Sequence, residues 1–487
     1  MPKVQNVTHS TALGPSDLLR RAARAEPERL ALVDGGSRYS FADFDRRVSA
    51  AALALLDAGL SAGDRVALQL GTGADFAVLF LGTLRAGMVA VPVNPSYTAP
   101  EVDWLVSDSG AARLFDESSA AALLAAAPDG TDPRRDRGGE ELAALMYTSG
   151  TSGRSRGAML SARALLANLD QLAAVDPPLV TQSDVVFVPL PLTHIFGLNA
   201  GLGMALRVGA TLVLADRFEP GATLAAMAAE HVTAVLGVPG QYAAWLAHPA
   251  MAGGFASVRF AMSGSATLAR AVVEGFAEAG IPLYDGYGLT EAAPVVAINA
   301  LGPGRDQPLA GSVGVPLPGV EVQLRDADGD EVDECDPGRL FLRGGNLFSG
   351  YWPDGAGGPD EDGWYGTGDL AYADSAGRLH LVGRSTDLVI VNGFNVYPAE
   401  VEAVLAAEPG VAEVAVVGVP DERTGEAVHA YVVAAAGHLL DPEQLRTSAA
   451  RSLARFKLPS AIEVVATLPH TVTGKIMKWQ LERNAGG

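Results

Sequence analysis

The chain has 487 residues, 48% apolar and 19% charged, with a formal net charge of -21. That length accommodates two or more domains, and the acidic balance argues against a nucleic-acid binder, which draws most of its affinity from Lys and Arg contacts to phosphates. A nucleotide ligand is not excluded, because local donors and a metal ion hold a small anion in a closed site whatever the global charge.

The opening "MPKVQNVTHSTALG" lacks the apolar core of a secretory signal. The most membrane-like stretch, "FAVLFLGTLRAGMVAVPV" at 76–93, carries Arg85, two glycines and a proline. It reads as a buried helix followed by a short strand, so no transmembrane segment and a cytoplasmic location are expected. Short apolar runs ("DRVALQLG", "GMVAVPVN", "GATLVLAD", "VTAVLGVP") alternate with helical stretches such as "ADFAVLFLGTLRAG" and "TLAAMAAEHV". That alternation predicts α/β layers with largely parallel sheets. Residues 118–141 read as a surface excursion. From about Gly311 the texture becomes β-rich, with "VEVQL" and "RLFLRG" as strands. Here lies the lone cysteine, Cys335, in the turn-like "DGDEVDECDPG"; it reads as a bystander, and a single cysteine excludes a disulfide framework. A final helix-and-strand alternation of about a hundred residues has the size of a small α+β domain, with its boundary near Arg384.

The stretch "YTSGTSGRSRGAML" at 147–160 packs three glycines and five Ser/Thr hydroxyls into fourteen residues. Such loops let backbone N–H groups approach a phosphate closely, with the hydroxyls as further donors. It is not a Walker A loop: five residues on from Gly150 stands Ser155 where that motif needs glycine. Taken alone, a flexible polar connection between two strands fits equally well.

Six further segments follow: "PLPLTHIFGL" (189–198), "MSGSATL" (262–268), "DGYGLTEAAPVV" (285–296), "YGTGDL" (365–370), "GRSTDLVIVNGFNVYPAEVE" (383–402) and "LPHTVTGKIMK" (468–478). With the loop, and in this order, they resemble the core motifs of the acyl-adenylate-forming superfamily, and most closely the bacterial fatty-acyl-CoA synthetases. The resemblance implies a large N-terminal domain of layered α/β sheets with a β-rich subdomain (1–384), a hinge at 385–386 and a mobile α+β lid domain (387–487). It also implies a two-step reaction. ATP activates a carboxylic acid as its acyl-adenylate with loss of pyrophosphate, and a thiol, here that of coenzyme A, displaces AMP. Charge develops on phosphate oxygens throughout, so donors, cations and Mg2+ are needed around them.

By the same resemblance, Thr148, Ser149, Gly150, Thr151, Ser152 and Gly153 grip the β- and γ-phosphates. Arg156 stands where the family usually has lysine, which keeps the charge but not its point-like shape. Ser265, Ala266, Asp285 and Gly286 are expected at the nucleotide. Tyr287 is expected to stack on adenine, Thr290 to contact the α-phosphate, and Glu291, with Thr151, to hold Mg2+. Asp369 and Arg384 resemble the pair at the ribose hydroxyls, and Lys475 the lysine that bridges carboxylate and α-phosphate, with Lys478 as internal comparison. Thr386 is the pivot, after which Gly393 faces the thiol tunnel. His194 resembles a histidine on the acyl side. Each residue alone has an ordinary structural reading: a solvated first-turn Glu291, a surface ion pair at Asp369, a tail lysine at Lys475, a satisfied core His194.

The candidate acyl-pocket residues Phe196, Val238, Ser263, Gly264, Gly286, Ala292 and Pro294 are small or apolar. No Arg or Lys stands just before Tyr287 to pair with a second carboxylate, which disfavours dicarboxylates. Medium- or long-chain acids are expected, with Gly286 leaving room for a chain. A short or aryl acid remains open, as does an amino or guanidino acid drawn to Asp285, unless Asp285 faces solvent. A carrier protein in place of free CoA, and a non-catalytic nucleotide binder, are the rivals of other classes.

Overall fold

The computed structural model describes residues 14–128, 133, 138–148, 155–266, 268–301, 310–333, 335–384, 387–391, 394–421, 424–470 and 475–485. The architecture is mixed α/β, a large N-terminal part followed by a smaller C-terminal one. The chain divides into two compact units: 1–310 with 314–321 and 343–365, and 311–313 with 322–342 and 366–487.

Two sheets organise the first unit. The nine-stranded sheet has at its centre six parallel strands, in spatial order Leu283–Gly288, Phe260–Ser263, Ala234–Gly237, Val185–Val188, Thr211–Leu214 and Leu30–Asp34. These are short, and Phe260–Ser263, Ala234–Gly237 and Thr211–Leu214 are buried along their whole length, as expected for parallel strands covered on both faces. Antiparallel strands Val295–Ile298 and Ser37–Ser40 flank them. The second sheet runs Arg113–Asp116, Arg65–Gln69, Val89–Pro92 and Leu142–Thr148 in parallel, and ends in the antiparallel hairpin partner Arg156–Ser161.

The predicted pair at 76–93 forms as helix Ala74–Arg85 and strand Val89–Pro92. The helix packs on Phe41–Asp57, whose start is capped by Ser40 accepting from the Asp43 N–H at 3.1 Å. Gly82 permits the close approach, since a Cβ there would stand 2.9 Å from that of Ala51. Arg85 is fully buried and reaches the Asp45 carboxylate at 2.7 Å. Under the larger sheet, Tyr242, Trp245, Phe255 and Phe276 form an edge-to-face cluster with centroids 5.2–5.6 Å apart. Among the described residues, no helix is long and apolar enough to cross a membrane.

Strands Val320–Arg325, Gly338–Gly344, Tyr365–Ala373 and Leu379–Arg384, most of whose residues belong to the second unit, make a four-stranded sheet, the β-rich region read from "VEVQL" and "RLFLRG". A five-stranded sheet follows, centred on the long hairpin Val411–Asp421 and Gly425–Ala434, with Pro398–Ala406 packed against it.

Candidate active site

In open parallel sheets, ligands bind beyond the carboxyl ends of the strands, where the connecting loops diverge. Gly237, Ser263 and Asp285 stand side by side at those ends in the first unit. Ser263 is fully buried and Asp285 is 5% exposed. Ser263 Oγ and Asp285 Oδ1 have no hydrogen-bond partner among the described residues. Asp285 does not face solvent: its Oδ2 accepts from the Leu268 N–H at 3.4 Å and its own N–H donates to Asn299 Oδ1 at 2.7 Å. Burial pushes its carboxyl up to about 7. Two polar atoms left unpaired at the carboxyl edge are costly to bury, so they mark the place where a ligand donor would be held most strongly.

Ser265 takes a left-handed backbone (φ 72°) in the turn that follows, next to Ala266. A Cβ on Gly264 would stand 3.1 Å from the Phe196 ring. A Cβ on Gly286 would stand 2.5 Å from Met262 Cε, so the space expected beside Gly286 is filled by the methionine tail. Phe196 begins a π-helix, Phe196–Gly203, a form frequent at functional sites. A Cβ at Gly197 or Gly203 would lie 2.7 Å from Pro191 O or Asn199 Oδ1, so glycine sets the tightness of this helix. His194 precedes it, half-buried, with Nδ1 accepting from the Phe196 N–H at 3.4 Å, which leaves the proton of a neutral ring on Nε2.

Tyr287 is buried near the end of strand Leu283–Gly288, and Thr290–Ala292 form one 3-10 turn ending on Ala293 in a left-handed conformation. Four buried amides from three segments hold this turn and the strand that follows it, two of them bonding to the turn and its cap directly. Asn168 exchanges two hydrogen bonds with the Val295 backbone, donating to O at 2.7 Å and accepting from N at 3.1 Å. Asn199 donates to Ala293 O and Asn346 to Ala292 O, each at 2.7 Å, while Gln171 donates to Asn346 Oδ1 at 3.1 Å. Sequence reasoning missed all four. The available signal was Asn168 and Gln171 lying among the apolar positions of helix Ala162–Ala173.

Within that turn, Glu291 is 8% exposed, so it is not a solvated first-turn carboxylate. Its Oε1 accepts from the Tyr351 hydroxyl at 2.6 Å, and Tyr351 lies 3.4 Å from the Tyr365 hydroxyl. Burial and the Glu291 charge push the Tyr351 phenol up to about 12, so it is the donor. The Arg156 guanidinium lies over the Tyr351 ring, 3.7 Å from its centroid. Arg156 and Thr148 face each other across the hairpin and form the two feet of the Gly/Ser/Thr loop. Ser149, Gly150, Thr151, Ser152 and Gly153 lie outside the described residues, as do Ser385, Thr386 and Gly393.

In the second unit, Asp369 and Arg384 are register partners across a strand pair, with Nε–Oδ1 at 3.2 Å. Lys475 is exposed, whereas Lys478 is half-buried in an ion pair with Glu402 at 2.7 Å.

The profile of the AMP-binding enzyme family matches residues 19–352, and that of the AMP-binding enzyme C-terminal domain residues 400–475. A feruloyl-CoA synthase from an Amycolatopsis species is 35% identical over 96% of this chain and 98% of its own. A long-chain-fatty-acid–CoA ligase from Yersinia pestis is 33% identical over 96% of this chain and 93% of its own. The crystal structure of ATP-bound MatB from Rhodopseudomonas palustris superposes with a TM-score of 0.90 at 33% identity, covering 97% of this chain and 99% of the other. The chain belongs to the AMP-binding enzymes. Its relatives are acyl-CoA synthetases, and it is an acid–thiol ligase of the AMP-forming kind, with ATP and CoA as co-substrates.

Proposed function

We propose that the chain activates an apolar monocarboxylic acid, with a flat aromatic acid as the first choice. One observation carries the choice: Met262 fills the space beside Gly286 while the Phe196 ring closes on Gly264, so a short flat acid needs no rearrangement there. The 35% identity to a feruloyl-CoA synthase across nearly its full length points the same way. A medium- or long-chain fatty acid is the second reading, favoured by the flexibility of the methionine thioether, which swings aside at small cost.

In this reading, the acid carboxylate attacks the α-phosphorus of ATP, pyrophosphate leaves, and the CoA thiol then displaces AMP. Residues 148–153 and Arg156 hold the leaving pyrophosphate, and the Thr290 hydroxyl contacts the α-phosphate. Tyr287 stacks on adenine beside Ser265, Ala266 and Gly286, and Asp285 offers its unpaired oxygen to a donor on the bound ligand. Asp369 accepts from the ribose hydroxyls with Arg384 beside it. Lys475 brings its charge to carboxylate and phosphate together, and His194 stands on the acyl side. A buried carboxylate is a hard oxygen donor of the kind Mg2+ takes, so Glu291 fits that ion, with Thr151 as second ligand. When bound, Mg2+ neutralises charge on the phosphate oxygens. The small domain after residues 385–386 turns at Thr386 between the half-reactions, bringing Gly393 to the thiol.

The test is pyrophosphate release with ATP and Mg2+ across acetate, octanoate, palmitate, benzoate, cinnamates and an ω-amino acid, with and without CoA. Release that is fastest with an aromatic acid and consumes CoA is expected. Fastest release with octanoate or palmitate would favour the second reading; adenylate formation without CoA consumption would make a carrier protein the acceptor; and no release with any acid would overturn the proposal.

A further inference from the structure

Glu291 is held by neighbours that none of the recognised motifs predicted to touch it. Segment 348–352 runs along the outer edge of strand Arg156–Ser161: Trp352 N–H donates to Gly157 O at 2.8 Å, Ser349 N–H to Met159 O at 2.9 Å, and Met159 N–H to Gly350 O at 3.0 Å. The same segment is tied to the 3-10 turn, because Phe348 N–H donates to Glu291 O at 2.8 Å. Tyr351 is thus fixed at its backbone to the strand leaving the Gly/Ser/Thr loop, and at its hydroxyl to the carboxylate of Glu291, 2.6 Å away.

The Tyr351 ring is confined as well. Phe348 meets it edge-on at 5.0 Å, and Phe348 also meets Tyr365 edge-on at 5.0 Å. The flat Arg156 guanidinium covers a ring face. A lysine ammonium at 156 would retain the charge but not the plane that stacks on an aromatic face. The residue that departs from the expected loop pattern is therefore the one that packs on the tyrosine holding the carboxylate.

We propose that Tyr351 is a positioning residue for adenylation, with Arg156 as its stacking support. Together they lock the Glu291 carboxylate in one orientation, with Oε1 occupied and Oε2 presented, and set the metal ligand and the foot of the phosphate loop as one rigid piece. The inference rests on the reading of Glu291 as the Mg2+ ligand. Its consequence concerns binding: a carboxylate oriented in advance loses less freedom when it takes a cation, and removing such an outer partner weakens metal affinity about 10- to 100-fold.

The experiment uses the full chain and Mn2+ as a spectroscopic stand-in. Free Mn2+ is followed by electron paramagnetic resonance in the presence of ATP, and ATP binding is measured separately in EDTA. Tyr351→Phe, which keeps the ring and its packing, is expected to raise the Mn2+ dissociation constant about tenfold while leaving metal-free ATP binding within twofold. Arg156→Lys, at an exposed position, keeps the charge but loses the planar stacking on the ring, and is expected to raise it about two- to fivefold. The Arg156 variant keeps the proposal testable should Tyr351→Phe fail to fold by circular dichroism. Mn2+ binding within twofold of wild type in both variants overturns the proposal. A weaker constant in Tyr351→Phe alone overturns the role given to Arg156. A wild type that binds no Mn2+ with ATP overturns the reading of Glu291 itself, an outcome distinct from a defect confined to the variants.

Discussion

Lys475 and Lys478 are the same residue type three positions apart, yet they differ in setting: the first is exposed, the second is engaged with Glu402. Replacing Lys475 by Ala is expected to lower the rate of pyrophosphate release about 10²- to 10³-fold, the usual cost of one missing charge-stabilising donor. Lys478→Ala is expected to leave that rate within a few-fold and to cost about 0–1 kcal/mol of stability, since its ion pair is half-exposed; pyrophosphate assays and thermal unfolding check both. Asp285 carries a pH signature. Its folded carboxyl is raised by burial to about 7, so the stability it contributes is fully present below about pH 4 and is lost as pH rises through 7. Asp285→Asn removes a slope of up to about 1.4 kcal/mol per pH unit in that window, which urea unfolding at pH 5, 6, 7 and 8 would reveal as a flatter profile. Asp285 was legible in the sequence as a candidate, but its burial was not, because the residues around it in sequence are equally consistent with a loop backing onto solvent.

The 3-10 turn Thr290–Ala292 and the π-helix Phe196–Gly203 depend on each other through side-chain amides. A single missing amide leaves buried backbone groups unsatisfied, so Asn168→Ala is expected to destabilise the protein by about 2–3 kcal/mol. Gly203→Ala sets a Cβ 2.7 Å from Oδ1 of Asn199, the side chain whose amide nitrogen donates to the turn; overpacking of this kind costs about 1–3 kcal/mol. Chemical denaturation checks both, and a variant as stable as wild type would mean that the turn holds without the amides. Helices and strands here were readable from apolar periodicity. The π-helix was not, because its i to i+5 spacing leaves no distinct pattern in eight residues rich in glycine. The amide clamp was not readable either, since its members come from 168, 171, 199 and 346 and only the fold brings them together.

A formal charge of -21 predicts that the whole molecule shifts no duplex DNA in a native gel even at about 50 mM salt, where phosphate contacts are strongest. The domain-scale proposal has its own check. Proline fixes φ and restricts the residue before it, so Thr386→Pro is expected to permit single-turnover adenylate formation and to slow thioester formation. Equal slowing of both steps would count against a pivot at that residue.

The amino-acid sequence by itself determined the fold class, the family and the order of the motifs, because these depend on local periodicity and on short runs of residues that keep their spacing along the chain. Only the tertiary structure decided that Asp285 is buried with an unpaired oxygen, that Met262 fills the flank of Gly286, and that Tyr351 and Arg156 stand behind Glu291. Those are facts of packing between segments sixty or more residues apart in several cases, and no pattern within one segment encodes which distant side chain will come to rest against it.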